Sequence, residues 1–185
     1  MNYELFSYLC HMITPSSLSS GSKIALVAPA RKVTDGDIAF AVEYIKQRGF
    51  VPIYDERLFL THNQFAGNDE QRASVIQHYL DADDIDAIMC VRGGYGTVRI
   101  IDRLDFDKFL QKPKWIVGYS DVTVLHAKMQ SLGIESLHAT MPINFQDNSK
   151  QALDTLFDAL CGKEIKYDLP QQTLDILSKM KGEVV

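Results

Sequence analysis

The sequence predicts an α/β domain on an open, doubly wound, mostly parallel sheet, flavodoxin-like or class I amidotransferase-like, with helices on both faces. Three observations carry that prediction. Short continuous apolar runs, Lys23 to Ala28, Ala87 to Val91 and Trp115 to Gly118, have the texture of strands buried on both sides. Segments with apolar residues at helical spacing lie between them. A strand-helix alternation of this kind requires parallel pairing through right-handed crossovers.

Each element follows from its residues. Lys23 to Ala28 is the first strand, closed by Pro29. Thr34 or Asp35 can cap a helix whose apolar positions Ile38, Ala41, Val42 and Ile45 run to Gly49, a suitable residue for the left-handed turn after a helix. Phe50 to Tyr54 is a second short strand, and Pro52, which lacks an N–H, argues that it lies near an edge or begins late. Leu58 to Gly67 has no period and reads as a loop. Asn68 opens a helix with Gln71 as its capping-box partner and Val75, Ile76, Tyr79 and Leu80 on its buried face. The third strand, Ala87 to Val91, runs into Arg92-Gly93-Gly94-Tyr95-Gly96. Val98, Ile101 and Leu104 suggest a short helix, and Phe106, Phe109 and Leu110 a second piece before Pro113. Trp115 to Gly118 is the fourth strand, followed by a helix ending at Gly133; Glu135 to Ala139 fits a fifth strand. A last helix carries Leu153, Leu156, Phe157 and Leu160 to Gly162. Residues 1–22 read as an untargeted tail with a flexible lead-in at Pro15 to Ser22, residues 23–162 as the domain, and residues 163–185 as a linker towards a further domain.

Composition narrows the classes of partner. At 46% hydrophobic and 23% charged residues the chain is ordinary globular protein, and a formal net charge of −5 offers no basic field for nucleic acid or an anionic membrane. Cys10, Cys90 and Cys161 are odd in number and widely spaced, which fits neither a disulfide framework nor a metal site and suits a reducing cytoplasm. The acidic run Asp81, Asp83, Asp84 and Asp86 lacks the glycine and terminal glutamate of a calcium loop and reads as a solvated turn. As a dinucleotide fingerprint the glycine loop fails, with Arg99 where the last glycine is needed, and it has no phosphate-loop lysine.

Chemistry centres on two turns. Ser120 falls between the fourth strand and the helix begun by Val122, Leu125 and Met129, so its hydroxyl is expected at the carboxyl end of a strand, where open α/β sheets gather ligands. Asp121 N–H then stands at a helix start, where free donors favour negative charge. Ser and Asp are equally good N-cap residues, so capping is the competing reading. Three glycines in Arg92-Gly93-Gly94-Tyr95-Gly96 allow backbone N–H groups close to a ligand, or simply a tight turn. If the third and fourth strands are neighbours, both turns face one crevice and supply a nucleophile with two oxyanion donors, Asp121 N–H and one from Gly93 or Gly94. A base is harder to find. His11 lies in the tail, His78 on a helix beside Tyr79, His126 is expected to point away from the strand-end crevice, and His138, at a strand end, reads as a structural histidine.

With both turns in view, the chain resembles the LD-carboxypeptidase family of serine peptidases, which includes muramoyltetrapeptide carboxypeptidases and microcin-immunity peptidases. The matching pieces are Ile24 to Pro29, Phe65 to Arg72, Arg92 to Gly96, Gly118-Tyr119-Ser120-Asp121 and Leu137-His138, in the family's order. The resemblance implies Ser120 as nucleophile, with Asp121 and Gly94 giving the oxyanion N–H groups. It further implies a Ser-Glu-His triad whose glutamate and histidine belong to a second, carboxy-terminal domain, so that these residues alone are expected to be nearly inert. His138 matches the family's His-Gly-Pro segment, which here reads His138-Ala139-Thr140-Met141-Pro142. The implied activity is hydrolysis of the bond to a terminal D-amino acid in cytoplasmic muropeptides during peptidoglycan recycling, by a homodimer needing no metal or cofactor. Two other classes fit the same residues: a flavodoxin-like regulatory module binding an anion or other ligand on its glycine loop, and a structural domain docking a partner.

Overall fold

A computed structural model of the chain describes residues 12–165. Five strands, β1 (Lys23–Val27), β2 (Val51–Ile53), β3 (Ala87–Cys90), β4 (Trp115–Gly118) and β5 (Leu137–His138), form one sheet in the order β2-β1-β3-β4-β5. Every pairing is parallel, with Ala25 opposite Ile53, Leu26 opposite Met89, Ile88 opposite Ile116 and Val117 opposite Leu137. The chain leaves β1 towards one edge and returns on its other side to make β3, so the order reverses at the carboxyl ends of β1 and β3. The proline-bearing strand β2 is the edge it was expected to be.

The helices are α1 (Asp35–Gln47), α2 (Asp69–Asp81), α3 (Asp107–Gln111), α4 (Thr123–Ser131) and α5 (Lys150–Leu160). Alternate residues of the central strands face opposite layers, as pleated strands require. Ile24, Leu26, Met89 and Val117 pack with Ile38, Ile45 and the α5 face of Leu153, Leu156, Phe157 and Leu160. Ala25, Val27, Ile88, Cys90 and Ile116 pack with Ile76 and Leu80 of α2, Phe109 of α3, and Leu125 and Met129 of α4. Each large side chain removed from water in this way contributes about 1.5–3 kcal/mol, which is what holds both helical layers on the sheet.

Local signals set the boundaries. Thr34 closes a capping box with Asp37, and Asn68 closes one with Gln71. Gly49, Gly133 and Gly162 follow α1, α4 and α5 at φ of +86°, +71° and +67°. Lys114 is 3% exposed, and its ammonium donates to the carbonyls of Tyr79, Leu80 and Ala82 at 3.1, 2.7 and 2.6 Å, capping the carboxyl end of α2. Burial lowers its pKa.

The structure differs from the sequence reading in several places, among them a fifth strand reduced to Leu137–His138 and a His126 ring that reaches the end of β4 instead of pointing away from it. The lead-in is not a free segment: Pro15 and Leu18 are buried, Leu18 N–H donates to Leu160, and Ser16 accepts from the Trp115 indole. Upstream of it, Ile13 bridges Ile134. Leu18 supplies the apolar anchor that a serine-rich composition hides. Val98, Ile101 and Leu104 form two 3-10 turns, Thr97–Arg99 and Ile101–Arg103, rather than one helix, with Val98 exposed. The segment after β5 folds into a further 3-10 turn, Pro142–Asp147, that no apolar period announces. Residues 1–11, with His11 and Cys10, and 166–185, most of the expected linker, lie outside the described residues.

Candidate active site

The carboxyl ends of β1, β3 and β4 converge on one hollow. It has a volume of ≈ 270 Å³ and is lined by Arg31, Arg92, Gly93, Gly94, Tyr119, Ser120, Met141, Ile143 and Asn144. The pairing of β3 with β4 brings the glycine turn beside the serine turn: a methyl group on Gly93 would lie 3.4 Å from Ser120 Cβ. Ser120 is exposed, at φ +62°. Among the described residues only Asn63 is another non-glycine with positive φ. Asparagine tolerates that region more readily than serine, and a serine held there costs of order 1–3 kcal/mol unless its surroundings fix it.

The surroundings do fix it. Gly118, the last residue of β4, has room for no Cβ, which would fall 2.8 Å from Val122 Cγ1. Its carbonyl accepts from Ala139 N–H at 3.0 Å and from His126 Nε2 at 2.9 Å. Because a carbonyl can only accept, Nε2 carries the proton, and Nδ1 accepts from the Ser136 hydroxyl at 2.8 Å. Burial depresses the pKa of this imidazole despite the Gly118 bond. On the next residue, Tyr119 donates its hydroxyl to Asn144 Oδ1 at 2.9 Å.

Neither Ser120 nor Asp121 acts as an N-cap: the 3-10 turn Ser120–Val122 and α4 both start without a side-chain cap. The Asp121 carboxylate reaches instead across to the glycine turn, accepting from Thr97 N–H at 2.8 Å and Thr97 Oγ1 at 2.6 Å. Thr97 is wholly buried, so this clamp ties the two turns together. Arg72, 1% exposed, holds the turn after β1, donating from Nε to Pro29 at 2.9 Å and from Nη1 to Gly67 at 2.7 Å.

Of the residues expected from sequence at the site, Ser120 and Gly94 line the hollow, and Asp121 is the next residue of the turn that Ser120 begins. No histidine or carboxylate is among the described residues that line it. His126 is engaged by Gly118 and Ser136, and His138 lines a separate groove with Leu137 and residues of α5. Cys90 is fully buried in β3, and burial pushes its thiol pKa up to about 12, which leaves it inert. Of the acidic run, Asp84 pairs with Lys23 at 2.7 Å and Asp86 accepts Lys23 N–H at 2.8 Å. Arg31, Asn144 and the Asp121 clamp escaped the sequence reading. The position of Arg31 just past β1 was the available signal, since strand ends at a switch point are where sites form.

Comparison with known proteins shows the family. Residues 24–139 match the profile of the LD-carboxypeptidase N-terminal domain. The chain belongs to the LD-carboxypeptidase family. A "probable murein peptide carboxypeptidase" of Bacillus subtilis is 30% identical over 128 residues, covering 69% of this chain and 40% of the relative. The murein tetrapeptide carboxypeptidase of Pseudomonas aeruginosa is 26% identical over 163 residues, covering 82% of this chain and 52% of the relative. The crystal structure of muramoyltetrapeptide carboxypeptidase from Oxalobacter formigenes superposes with a TM-score of 0.66 at 31% identity, over 75% of this chain and 47% of that one. The chain thus spans about half the length of the family members it matches.

Proposed function

We propose that this chain is the nucleophile-bearing half of a serine LD-carboxypeptidase. In this reading Ser120 attacks the carbonyl that joins an L-centre to a terminal D-amino acid. The C–N bond breaks, and the D-amino acid leaves with the hydroxyl proton transferred to its amine. The acyl group stays on the Ser120 oxygen as an ester, and water then hydrolyses that ester to release the acid and restore the hydroxyl. The N–H groups of Asp121 and Gly94 receive the developing oxyanion; losing one such donor in a serine hydrolase costs ~2.7–4 kcal/mol of transition-state stabilisation. No metal or cofactor takes part. The substrate is a murein-type peptide met in the cytoplasm, in keeping with the names of the relatives from Bacillus subtilis and Pseudomonas aeruginosa. The full-length protein acts as a homodimer.

The observation that carries the reading is Ser120, exposed at φ +62° on a strand-to-helix bend in the same hollow as Gly93 and Gly94. A serine so placed presents its hydroxyl at the top of the sheet with donors beside it, the arrangement of a nucleophile elbow. Among the described residues that line it the hollow has no histidine or glutamate, in keeping with a base and an orienting group that come from a carboxy-terminal half, as the family resemblance implies. Without them only the residual catalysis of binding and oxyanion donors is expected.

The test is D-alanine release from a tetrapeptide ending in D-alanine. It is run on this chain alone and on the same chain joined to the carboxy-terminal half of the Pseudomonas aeruginosa relative. The first is expected to be silent and the second active, with Ser120→Ala abolishing the activity. Enzyme-like turnover by the chain alone, or activity of the joined protein that survives Ser120→Ala, refutes the assignment.

A further inference from the structure

The hollow around Ser120 is cationic. Two guanidinium groups, Arg31 and Arg92, line it, and no carboxylate does. Four arginines elsewhere are matched with acids, Arg48 with Asp154, Arg57 with Asp55, and Arg72 and Arg99 with Asp69, while the exposed Arg103 makes no ion pair with a described residue. Arg92 gives Nη1 to the Lys32 carbonyl at 3.1 Å. Arg31 is exposed, and its side chain makes no hydrogen bond or ion pair with any described residue. Its stem lies on Gly94: a Cβ there would be 2.7 Å from Arg31 Cγ and Cδ and 2.9 Å from Nε, so only glycine admits the arginine in this position. The backbone keeps it there, with Arg31 N–H donating to Gly93 at 3.4 Å and Ala30 accepting from Ala66 at 3.1 Å. A guanidinium with no hydrogen-bond or ion-pair partner among the described residues thus lies against the proposed oxyanion donor and lines the same hollow as the serine.

A peptide cleaved at its last bond carries its free carboxylate about one residue length, ~3.8 Å, beyond the attacked carbonyl. A group that reads the carboxylate must therefore line the same hollow as the nucleophile. We propose that Arg31 is the residue that receives the terminal carboxylate of the departing amino acid, by a forked pair of hydrogen bonds, and so confines the site to free chain ends. The proposal rests on the reading of Ser120 as nucleophile for its orientation, although the binding it predicts needs no turnover. Arg31 is on this account a specificity-determining residue; it takes no part in proton transfer.

The test is therefore made on binding. The 185-residue chain is titrated with a tetrapeptide ending in D-alanine and with the C-terminal amide of the same peptide, followed by NMR shifts of Gly93, Gly94 and Ser120. The acid is expected to bind about 10- to 100-fold more tightly than the amide, the range for a charge-assisted pair. Arg31→Gln is expected to reduce that preference to a few-fold. Arg31→Lys, which keeps the charge without the fork, should fall between them. Arg103→Gln, at another exposed arginine outside the hollow, should leave the preference unchanged. Equal binding of acid and amide, no binding of either, or a preference that survives Arg31→Gln overturns the proposal. These outcomes separate it from the function itself. A carboxylate preference without turnover in the joined protein keeps Arg31 and removes the peptidase. Turnover that is indifferent to amidation and to Arg31 does the reverse.

Discussion

Replacing Asp121 with alanine should unfasten the glycine turn from the Ser120 turn, and the size of the loss can be worked from the structure. The carboxylate accepts two hydrogen bonds, from Thr97 N–H at 2.8 Å and Thr97 Oγ1 at 2.6 Å. Each bond to a charged group contributes about 1.5–3 kcal/mol, and both donors sit on a residue without solvent exposure, so their loss leaves two buried polar groups unmatched. Asp121 itself is half-buried, and water can enter where its carboxylate was, which moves the expected cost to about 2–4 kcal/mol. For a domain of this size that is a fall in Tm of about 5–15 °C. Asp121→Asn keeps one acceptor oxygen but no charge and should cost about half as much. Thr97→Val removes only the hydroxyl and should cost about 1 kcal/mol. Urea unfolding of Asp121→Asn, Thr97→Val and the double variant gives the coupling between the two residues directly. If both single variants unfold within 0.5 kcal/mol of the parent (the usual scatter for exposed sites) and their effects add, the clamp does not exist as described.

Gly118→Ala would drive a methyl group to 2.8 Å from the fully buried Val122, so denaturant unfolding should show a loss of about 1–3 kcal/mol. Lys114→Met would leave the carbonyls of Tyr79, Leu80 and Ala82 without their donor; a cost of about 2–4 kcal/mol is expected, with the earliest amide exchange at the end of α2. His126 has a pKa below its unfolded value because burial favours the neutral ring. Its contribution to stability is therefore full above the unfolded value near 6.5 and is lost as pH falls below that towards the folded pKa. Melting curves between pH 7.5 and 5 should show that loss in the parent and less of it in His126→Gln. Gly94→Ala places a methyl group 2.7 Å from Arg31 Cγ at a φ of +115°; a stability loss of about 1 kcal/mol, with weakened binding of a D-alanine-ended peptide, is the expected result in a melt and a titration.

The sequence by itself determined the sheet, because buried parallel strands must be apolar throughout and their crossovers must be helical. Lys23–Val27, Ala87–Cys90 and Trp115–Gly118 appear within a residue of where their apolar runs place them. Capping at Thr34 and Asn68 was equally legible, since a capping box is satisfied by residues three apart. So were the glycine turn and Gly118-Tyr119-Ser120-Asp121, whose combination pointed to the family. Less could be read of anything that depends on distant residues. A serine-rich lead-in gives no local sign that Leu18 will find the core, and Pro142–Asp147 has no period to announce it.

Only the tertiary structure decided what the polar residues do. Asp121 could have capped its own helix, an interaction a few residues long; it binds Thr97, 24 positions away, because β3 and β4 are neighbours in the sheet. Arg31 enters the same hollow as Ser120 because the strand order reverses between β1 and β3, which lays the end of β1 against the glycine turn. Apolar periodicity is a property of a segment and survives in one dimension. The partner of a charge is fixed by the packing of the whole sheet, and no window of sequence contains it.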